Sequence, residues 1–431
     1  MKLSKYNYFI SKSDVTYWFN GISQQYFVLE RNLSQKILSA LQIEGGYHAI
    51  EQQSLNFANK LIGGGFVVDD ELDEVQCVRD NYEKGVNSKD YKLSILPTLN
   101  CNYSCWYCVQ DHIESKMSIK TIEKIKRHII RIIEIEKIAS LNIDWFGGEP
   151  LMFFSDIVEP ISRFAKVQCD KAKIPFVNTI TTNAYYLMPY VCCRLDELNF
   201  KVMQITLDGR RNTHNSVKKA SNGESAFDIA LDHIDAALSA SKSLVIMLRI
   251  NYANGTLCDE LLSQICEHIS TPNRKRTQIM LRKVWQVSRN SDRKSIVREF
   301  MQKAIDNGFS VRANNFVGAI PCYADKKYYA CINYNGEVVR CTASNELYQN
   351  APGYLNDEGF VVWRSTTTKY GSPNFENDNC LSCKHLPLCL GGCNNHRHEP
   401  NTKFICEQEN RDFSFEESIE NYIEYDTASN N

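Results

Sequence analysis

The most informative segment of the sequence is Cys101-Asn102-Tyr103-Ser104-Cys105-Trp106-Tyr107-Cys108, which follows the apolar run Leu93-Ser94-Ile95-Leu96. Its cysteines have the spacing CxxxCxxC, so one short loop presents three thiols. A cubic [4Fe–4S] cluster normally takes four protein sulfurs, so three thiolates leave one iron open to a non-protein ligand. A zinc knuckle or three buried free cysteines is the alternative interpretation.

Composition sets the first limits on function. A chain of 431 residues is too long for a single small core and predicts two or three domains. The net charge of −2 lacks the excess of Lys and Arg that phosphate binding requires, so we expect no nucleic-acid partner. No stretch approaches the roughly eighteen apolar residues of a membrane span, and the N-terminus lacks the apolar core of a signal peptide. We therefore expect a cytoplasmic protein with no membrane partner.

The chain contains 17 cysteines, which is a large number for its length. In a reducing cytosol, clustered cysteines indicate metal binding and not disulfides. Most of the cysteines outside the motifs are predicted to be small buried hydrophobic residues. These scattered cysteines are Cys77, Cys169, Cys192, Cys193, Cys258, Cys266 and Cys331.

The N-terminal stretch is predicted to form a winged-helix-like domain. Tyr6–Ile10 and Tyr26–Leu29 are rich in aromatic and β-branched residues, which is typical of strands. Ser34 is predicted to cap a helix, and a second helix with one apolar face ends at Gly63-Gly64-Gly65. Phe66-Val67-Val68 then indicates a strand or wing. The alternative is a structural cap that only packs on the following domain.

From Tyr91 onward, strand and helix patterns alternate, and Ser118 is predicted to open a helix with isoleucines on one side. Regular alternation predicts an α/β fold in which right-handed crossovers connect parallel strands. The six predicted strands are Lys92–Leu96, Leu141–Phe146, Val177–Asn183, Val202–Asp208, Leu244–Asn251 and Gln278–Val284. A further helix is expected over Ile296–Ile305.

The cysteine loop, the aromatic Tyr107 before its last cysteine and the strand–helix units closely resemble the radical S-adenosylmethionine (radical SAM) superfamily. The resemblance implies a partial (β/α)6 TIM-like barrel whose functional groups lie at the carboxyl ends of the strands. It also implies that Cys101, Cys105 and Cys108 bind a [4Fe–4S] cluster whose open iron chelates S-adenosyl-L-methionine (SAM). An electron from the cluster then splits SAM to a 5′-deoxyadenosyl radical.

Several strand ends match segments that line the SAM site in this family. Gly147-Gly148-Glu149-Pro150 matches a segment that accepts hydrogen bonds from the methionine ammonium, and glycine lets the backbone approach the ligand closely. Further matches to SAM-site segments lie on the next three strands: Thr182-Asn183 on the third, Thr206-Leu207-Asp208-Gly209 on the fourth and Arg249 on the fifth. Ordinary caps and polar residues of the barrel rim are the alternative. The cofactor-binding residues implied by the resemblance are Tyr107, Gly147, Gly148, Glu149, Thr182, Asn183, Thr206, Asp208 and Arg249.

The C-terminal third carries a second set of cysteines, in the order CxnGx4C, Cx2Cx5Cx3C, C. A zinc ribbon explains the middle four as a tetrahedral set but not the other three. The whole pattern resembles the SPASM extension, which carries two auxiliary [4Fe–4S] clusters. The resemblance assigns the nearer cluster to Cys322, Cys341 and Cys393, and the farther cluster to Cys380, Cys383, Cys389 and Cys406. Cys331 is the one spare cysteine among the nearer ligands, and we predict that it is the fourth ligand.

The resemblance also implies a domain order and a function. The expected domains are a peptide-recognition domain over 1–90, a barrel over 91–310, an iron–sulfur domain over 311–410 and an acidic tail over 411–431. Members mostly modify peptides, so the leading hypothesis is maturation of a ribosomally made precursor peptide by hydrogen abstraction, with crosslinking or another oxidative modification. The expected partners are a precursor peptide with a leader segment and an electron donor such as flavodoxin or ferredoxin.

Two departures from the family pattern bear on this hypothesis. His214-Asn215 with Lys218 stands where relatives commonly show His-Asp and an Arg, so these side chains receive no role. Cys341 is followed by Thr342, where sulfatase maturases, which form formylglycine, carry an Asp as general base. That activity is therefore the second hypothesis, and a non-catalytic leader-binding scaffold is the third.

Overall fold

The computed structural model describes residues 1–219, 223–253, 255–284, 294–313, 321–344, 347, 350–364, 373–393, 406 and 413–426. The strands among them are β1 (Lys2–Leu3), β2 (Asn7–Lys12), β3 (Val15–Asn20), β4 (Tyr26–Glu30), β5 (Val67–Val68), β6 (Asp90–Ile95), β7 (Ser140–Trp145), β8 (Phe176–Thr182), β9 (Phe200–Leu207), β10 (Val245–Tyr252), β11 (Thr277–Lys283), β12 (Ser310–Val311), β13 (Tyr329–Ile332), β14 (Glu337–Val339), β15 (Gly353–Leu355) and β16 (Val361–Trp363).

The α-helices of the same residues are α1 (Arg31–Leu41), α2 (Gly46–Gln53), α3 (Leu55–Gly63), α4 (Glu74–Val86), α5 (Ile119–Glu134), α6 (Glu159–Ala172), α7 (Pro189–Cys192), α8 (Arg211–Val217), α9 (Ala226–Ala240), α10 (Asp259–His268), α11 (Thr271–Arg274), α12 (Lys294–Asp306), α13 (Asp378–Leu381), α14 (Leu386–Cys389) and α15 (Phe415–Asn421). Short 3-10 and π-helical turns occur at Pro150–Phe153, Phe154–Val158, Tyr323–Asp325 and Tyr422–Asp426. No helix of the described residues is long and apolar enough to cross a membrane.

The chain forms two compact units. The barrel unit comprises Ser88–Ala313, Lys327–Tyr370 and Tyr425–Asn431. The discontinuous unit comprises Met1–Asn87, Asn314–Lys326 and Gly371–Glu424. The domain boundaries expected from the sequence stay a prediction.

The barrel unit is built on a sheet in the order β12-β11-β10-β9-β8-β7-β6-β13-β14-β15-β16. Each neighbouring pair from β12 to β13 is parallel, and the last three strands continue antiparallel. The six predicted strands are confirmed as β6 to β11, each within two residues of its expected bounds. The α/β fold and its large, mostly parallel sheet are therefore confirmed.

Helix α5 illustrates how the crossover helices pack on this sheet. Ser118 caps it by accepting a hydrogen bond from the backbone N–H of Thr121 at 3.1 Å, as predicted. Its isoleucine stripe is buried, which fits the period of an amphipathic helix. His128 on the same face is also buried, and its ring nitrogens contact the Tyr91 hydroxyl and the Gly359 carbonyl, each at 2.9 Å.

The strands of the sheet present alternating faces. Leu93 and Ile95 of β6 are fully buried. Lys92 of β6 and Asp144 of β7 lie at the alternate positions of their strands and form an ion pair at 3.0 Å. Thr179 donates a 2.7 Å hydrogen bond to the same carboxylate. One face of the sheet is thus apolar under the helices, and the other carries polar groups.

In the discontinuous unit, β2, β3 and β4 form an antiparallel sheet, and β1 pairs with β5. The predicted turn after the second helix is confirmed, since α3 ends at Gly63 and β5 follows. The prediction that Ser34 caps a helix was wrong. Helix α1 begins at Arg31, so Ser34 lies inside the helix. Its buried hydroxyl accepts a 2.7 Å hydrogen bond from Trp18 Nε1 and thereby satisfies the buried indole N–H.

Residues far apart in sequence share the cores of this unit. One core joins Tyr8 and Phe19 to Leu388 and to Phe415 and Ile419 of α15. A second core joins residues of the N-terminal segment and the cysteine-rich segment, namely Tyr6, Val78, Tyr82, Val86, Phe375, Leu386 and Leu390. The acidic tail helix is therefore packed into the unit. Whether the N-terminal part is a winged helix stays a prediction.

Candidate functional site

The cysteine loop connects β6 to α5 at the carboxyl end of β6. Cys101 and Cys105 are partly buried and Cys108 is exposed, and a turn joins Cys108 N to the Cys105 carbonyl at 3.0 Å. Burial raises the pKa of Cys101 to about 12 and that of Cys105 to about 11. The charges of neighbouring cysteines contribute to both increases, so the three thiols lie close enough to act on one another.

The chemistry of these three thiols suits an iron–sulfur cluster. Within the described ranges, no three His, Cys, Asp or Glu side chains are arranged to hold one metal ion. In a cubic cluster each thiolate binds a different iron, so the sulfurs need not converge on one point. Deprotonating buried thiols requires a compensating positive charge, which a metal centre provides. The donor set of Cys101, Cys105 and Cys108 is thus the one that a cluster with an open iron requires.

Gly147 and Gly148, at the end of β7, lie directly against the chain that leads to the cysteines. A Cβ on Gly148 would lie 1.9 Å from the Asn100 carbonyl oxygen. Gly147 has φ of +109° and leaves 2.4 Å between an added Cβ and the Thr98 carbonyl. Both positions therefore require glycine. Gly148 N also donates to the Thr98 carbonyl at 3.1 Å, which ties the end of β7 to the loop.

Glu149 is a fully buried carboxylate that joins the ends of two strands. It accepts hydrogen bonds from Thr182 Oγ1 and from Asn183 N, both at 2.7 Å. Burial raises the pKa of Glu149 to about 6, against the opposing effect of these donors. The carboxylate is thus a structural link between β7 and β8, with its oxygens directed at the protein.

The Asn183 side chain reaches the cysteine loop. Its Nδ2 donates to Asn102 Oδ1 at 2.8 Å and lies 3.8 Å from Cys101 Sγ. Because Glu149 fixes the backbone of Asn183, the end of β8 is coupled to the loop through one amide side chain. Amide donors near cluster sulfurs are among the groups that set cluster potentials.

Asp208, at the end of β9, is the centre of a buried polar cluster. Its Oδ1 accepts from Tyr107 Oη at 2.5 Å and from Asn251 Nδ2 at 3.0 Å. Its Oδ2 lies 3.1 Å from Lys218 Nζ. Burial opposes ionisation, but Lys218 and His214 together with the two donors hold the pKa of Asp208 below its usual value.

Thr206 and Arg249 complete the set expected from the sequence. They lie side by side in register on β9 and β10. The Thr206 carbonyl accepts from Lys218 Nζ at 2.5 Å, and Arg249 Nε donates to Asn251 Oδ1 at 3.0 Å. Burial lowers the pKa of Arg249 from its ordinary value. Every expected cofactor-binding residue thus lies on the cysteine loop or on the carboxyl-terminal parts of β7 to β10; their role in SAM binding is a proposal.

The cysteines of the farther set lie in the discontinuous unit. Burial raises the pKa of Cys380, Asn377 lowers it, and the charges of Cys383 and Cys406 raise it, so these three thiols are neighbours. Burial also raises the pKa of Tyr8, to which the charges of Cys383 and Cys389 contribute. Cys389 therefore lies in the same region. This grouping agrees with the expected farther set, whose metal binding is a proposal.

The nearer set is divided between the two units. Cys322 and Cys393 belong to the discontinuous unit, and Cys341 belongs to the barrel unit. Cys331 is fully buried in β13 and pairs with Val339, two residues before Cys341. Burial raises the pKa of Cys331, and the charge of Cys341 raises it further. Ligation by Cys331 stays a prediction.

Two functional candidates were missed at the level of sequence. Asn102, the partner of Asn183, occupies a variable position inside the CxxxCxxC motif, so the spacing gives no signal for it. Lys218 departs from the family pattern and received no role. A signal for it exists, because His214 and Lys218 are four residues apart after the Asp208-Gly209 turn and so lie on one face of a helical turn.

Comparisons with known proteins show which family and which folds this chain resembles. The family model of the radical SAM superfamily matches residues 95–255. The radical SAM cyclopropyl synthase TigE of Paramaledivibacter caminithermalis is 24% identical, over 91% of this chain and 89% of that protein. Native anSMEcpe with bound AdoMet has a similar fold, with a TM-score of 0.56 and 16% identity over 79% of this chain and 99% of that one. Its complex with AdoMet and the Cp18Cys peptide gives a TM-score of 0.53, with the same identity and coverage. The motif, the parallel sheet and the family match together show that this chain contains a radical SAM domain over residues 95–255.

Proposed function

We propose that this enzyme modifies a residue of a ribosomally made precursor peptide by hydrogen abstraction, forming a crosslink or another oxidative modification. The observation that carries the proposal is the placement of the three-thiol loop beside Glu149, Asn183 and Asp208 at the carboxyl edge of the barrel sheet. This is the edge at which parallel barrels place their chemistry. The intact thiol set argues against a non-catalytic scaffold.

The cofactors in this proposal are SAM, a [4Fe–4S] cluster on Cys101, Cys105 and Cys108, and two auxiliary clusters on the C-terminal cysteines. When bound, the first cluster and SAM supply a carbon radical able to abstract hydrogen. The chain's own residues hold the loop: Glu149 fixes Asn183, and Asp208 holds Tyr107. An electron donor such as flavodoxin or ferredoxin is needed to reduce the cluster, and such a partner fits a cytoplasmic location.

A peptide substrate is supported by one solved structure of similar fold, and carbon–carbon bond formation is supported by one relative. TigE is a cyclopropyl synthase, and it aligns with nearly the whole of this chain. The anSMEcpe fold has been seen with both AdoMet and a peptide. We propose carbon–carbon bond formation as the first outcome to test. Each such bond joins two carbons that each lose one hydrogen, so the product lacks two hydrogens.

Formylglycine formation is the alternative. It needs a base near the C-terminal cysteines, whereas Cys341 is followed by Thr342. The Thr342 carbonyl instead accepts a 3.5 Å hydrogen bond from Gln110 Nε2, two residues beyond Cys108. The threonine side chain has no carboxylate to accept a proton, so Thr342 does not supply such a base.

We propose that the precursor's leader binds to the open edge of the three-stranded sheet. In the described part of the chain, β4 is an edge strand, and Val28 at its middle is 49% exposed. An edge strand offers unpaired N–H and C=O groups to an added strand. Tyr17 and Val28 are a non-hydrogen-bonded pair of the antiparallel ladder, so the Val28 N–H points away from β3.

Co-expression with short peptides encoded beside this gene tests the function. Anaerobic incubation of the reconstituted enzyme with SAM and reductant is expected to release 5′-deoxyadenosine and to give a peptide lighter by two hydrogens. Formylglycine formation is separated from this outcome by reaction of the product with a hydrazide, because the formylglycine aldehyde reacts and a carbon–carbon crosslink does not. An iron-loaded protein that releases no 5′-deoxyadenosine with any peptide would contradict the proposal.

A further inference from the structure

A buried lysine lies behind the cysteine loop. Lys218 is 3% exposed and Asp208 is 4% exposed. The Lys218 ammonium lies 3.1 Å from Asp208 Oδ2 and donates to the Thr206 carbonyl at 2.5 Å. A buried ion pair of this kind is costly to break, because removing one partner leaves the other charge buried and unpaired.

The contacts continue from Lys218 to the thiols. The other Asp208 oxygen accepts the short hydrogen bond from Tyr107 Oη, and Tyr107 lies between Cys105 and Cys108. Hydrogen bonds to an ionised acceptor are roughly twice as strong as neutral ones. The position of the loop therefore depends on a carboxylate that Lys218 neutralises.

The backbone around Asp208 is fixed from the same helical turn. Asp208 N donates to His214 Nδ1 at 3.1 Å, so this nitrogen is the unprotonated one. Burial, together with the charge of Lys218, lowers the pKa of His214 to about 3, so the ring is neutral. The positive charge that faces Asp208 from this turn is thus that of Lys218.

We propose that Lys218 is a positioning residue whose ammonium holds the Asp208 carboxylate in place, so that Tyr107 fixes the cysteine loop against the end of β9. The inference rests on the proposed role of that loop in holding a cluster and SAM. The cation lies between one carboxylate oxygen and one carbonyl. Without it, the carboxylate takes up a proton or moves toward water, and Tyr107 loses its charged acceptor.

The test compares Lys218→Met and Lys218→Arg in the anaerobically reconstituted full chain. Lys219→Met is the matched control, because it removes the exposed ammonium of the next residue. The first measurement is amide hydrogen exchange over residues 98–110 without SAM. We expect exchange about tenfold faster in Lys218→Met, as for loss of a charged hydrogen bond, and close to wild type in Lys218→Arg and Lys219→Met.

The second measurement is the change that SAM causes in the electron paramagnetic resonance spectrum of the reduced protein. We expect Lys218→Met to need about tenfold more SAM for the same change. The double variant Asp208→Asn with Lys218→Met separates positioning from loss of fold, because Asn still accepts from Tyr107 and leaves no buried charge. We expect it to recover loop protection relative to Lys218→Met.

Equal exchange rates and equal SAM dependence in Lys218→Met, Lys219→Met and the wild type would overturn the inference. Faster exchange across the whole barrel in Lys218→Met, with no recovery in the double variant, would also overturn it, since that indicates a structural role only. If SAM causes no spectral change in the wild type, the proposed function fails instead. The exchange measurement then still decides the role of Lys218.

Discussion

The two compact units differ in how the chain assembles their candidate sites. In the barrel unit, Glu149, Asn183 and Asp208 follow one another at the ends of consecutive strands, close to a loop that carries three thiols. In the discontinuous unit, Cys380 and Cys389 pack against cores that the N-terminal segment completes. A site built from consecutive strands is encoded locally, whereas the second set of cysteines depends on contacts between distant segments.

The largest expected effect tests whether the two cysteine sets are independent. Replacing Cys101, Cys105 and Cys108 together with Ala should abolish 5′-deoxyadenosine formation, because no open iron remains. The C-terminal cysteines should keep a substantial share of the iron and sulfide. Analysis of both elements in the folded triple variant provides the measurement. If the iron falls to nothing, the C-terminal cysteines hold no cluster, and the two cysteine sets are not independent metal sites.

The second effect concerns a long-range contact within the barrel unit. Because the Gly359 carbonyl can only accept, His128 Nδ1 donates to it, and Nε2 accepts from Tyr91. Burial lowers the pKa of His128 to about 4. The unfolded chain binds a proton below pH about 6.5, but the folded chain does not. The free energy of unfolding therefore decreases as pH falls from 6.5 toward 4, by about 3 kcal/mol over the whole range.

Urea unfolding of the wild type and of His128→Gln at pH 7.5 and pH 5 measures this effect, since other titrating groups cancel in the difference. Between pH 7.5 and pH 5, we expect the wild type to lose about 2 kcal/mol more unfolding free energy than His128→Gln. The same pH dependence in both proteins would show that His128 is not buried neutral. The contact to Gly359 would then not hold α5 to the later segment.

The third effect tests the edge of the three-stranded sheet. Val28→Pro removes an N–H that faces away from β3, so the sheet itself keeps its hydrogen bonds. We expect precursor binding to weaken about tenfold while uncoupled SAM cleavage is unchanged. Fluorescence anisotropy with a labelled leader is the measurement, and Val28→Thr is the control. Unchanged affinity in Val28→Pro would place the leader elsewhere.

A point substitution tests the leader site more specifically than deletion of the N-terminal segment does. Tyr6 and Tyr82 belong to the core against which Cys380 packs, and Tyr8 belongs to the core that contacts Cys389. Deletion of residues 1–85 would expose both cores and disturb the farther cysteine set. A loss of binding in such a truncation would therefore not identify the leader site.

The smallest expected effect concerns Cys331. If it is the fourth ligand of the nearer cluster, Cys331→Ala should alter that cluster's electron paramagnetic resonance signal and potential while SAM cleavage without peptide stays intact. A closed cluster can only pass electrons, for example by accepting the one left when a substrate radical is oxidised. Cys169→Ala, which empties another buried thiol position, is the control. An unaltered signal in Cys331→Ala means that the thiol is a core residue.

The sequence was most informative where one short segment carries the whole signal. The alternation of apolar and polar residues located β6 to β11, and the CxxxCxxC and Gly147-Gly148-Glu149 segments located the candidate site. Ser34 was misassigned because its partner, Trp18, comes from another strand. The four-residue spacing of His214 and Lys218 indicates that both lie on one face of a helical turn, but it does not identify Asp208 as the partner of Lys218.

Strand β13 has a consequence for how the chain is made. It pairs in parallel with β6, so Tyr329 lies beside Lys92, although the two are far apart in the sequence. As the chain leaves the ribosome, β6 therefore remains an open edge until the last third of the protein has been synthesised. Contacts between distant segments form slowly, and exposed edges promote mispairing between chains. The nascent enzyme thus presents its cysteine loop next to an unprotected strand, and slower growth at low temperature should raise the soluble yield.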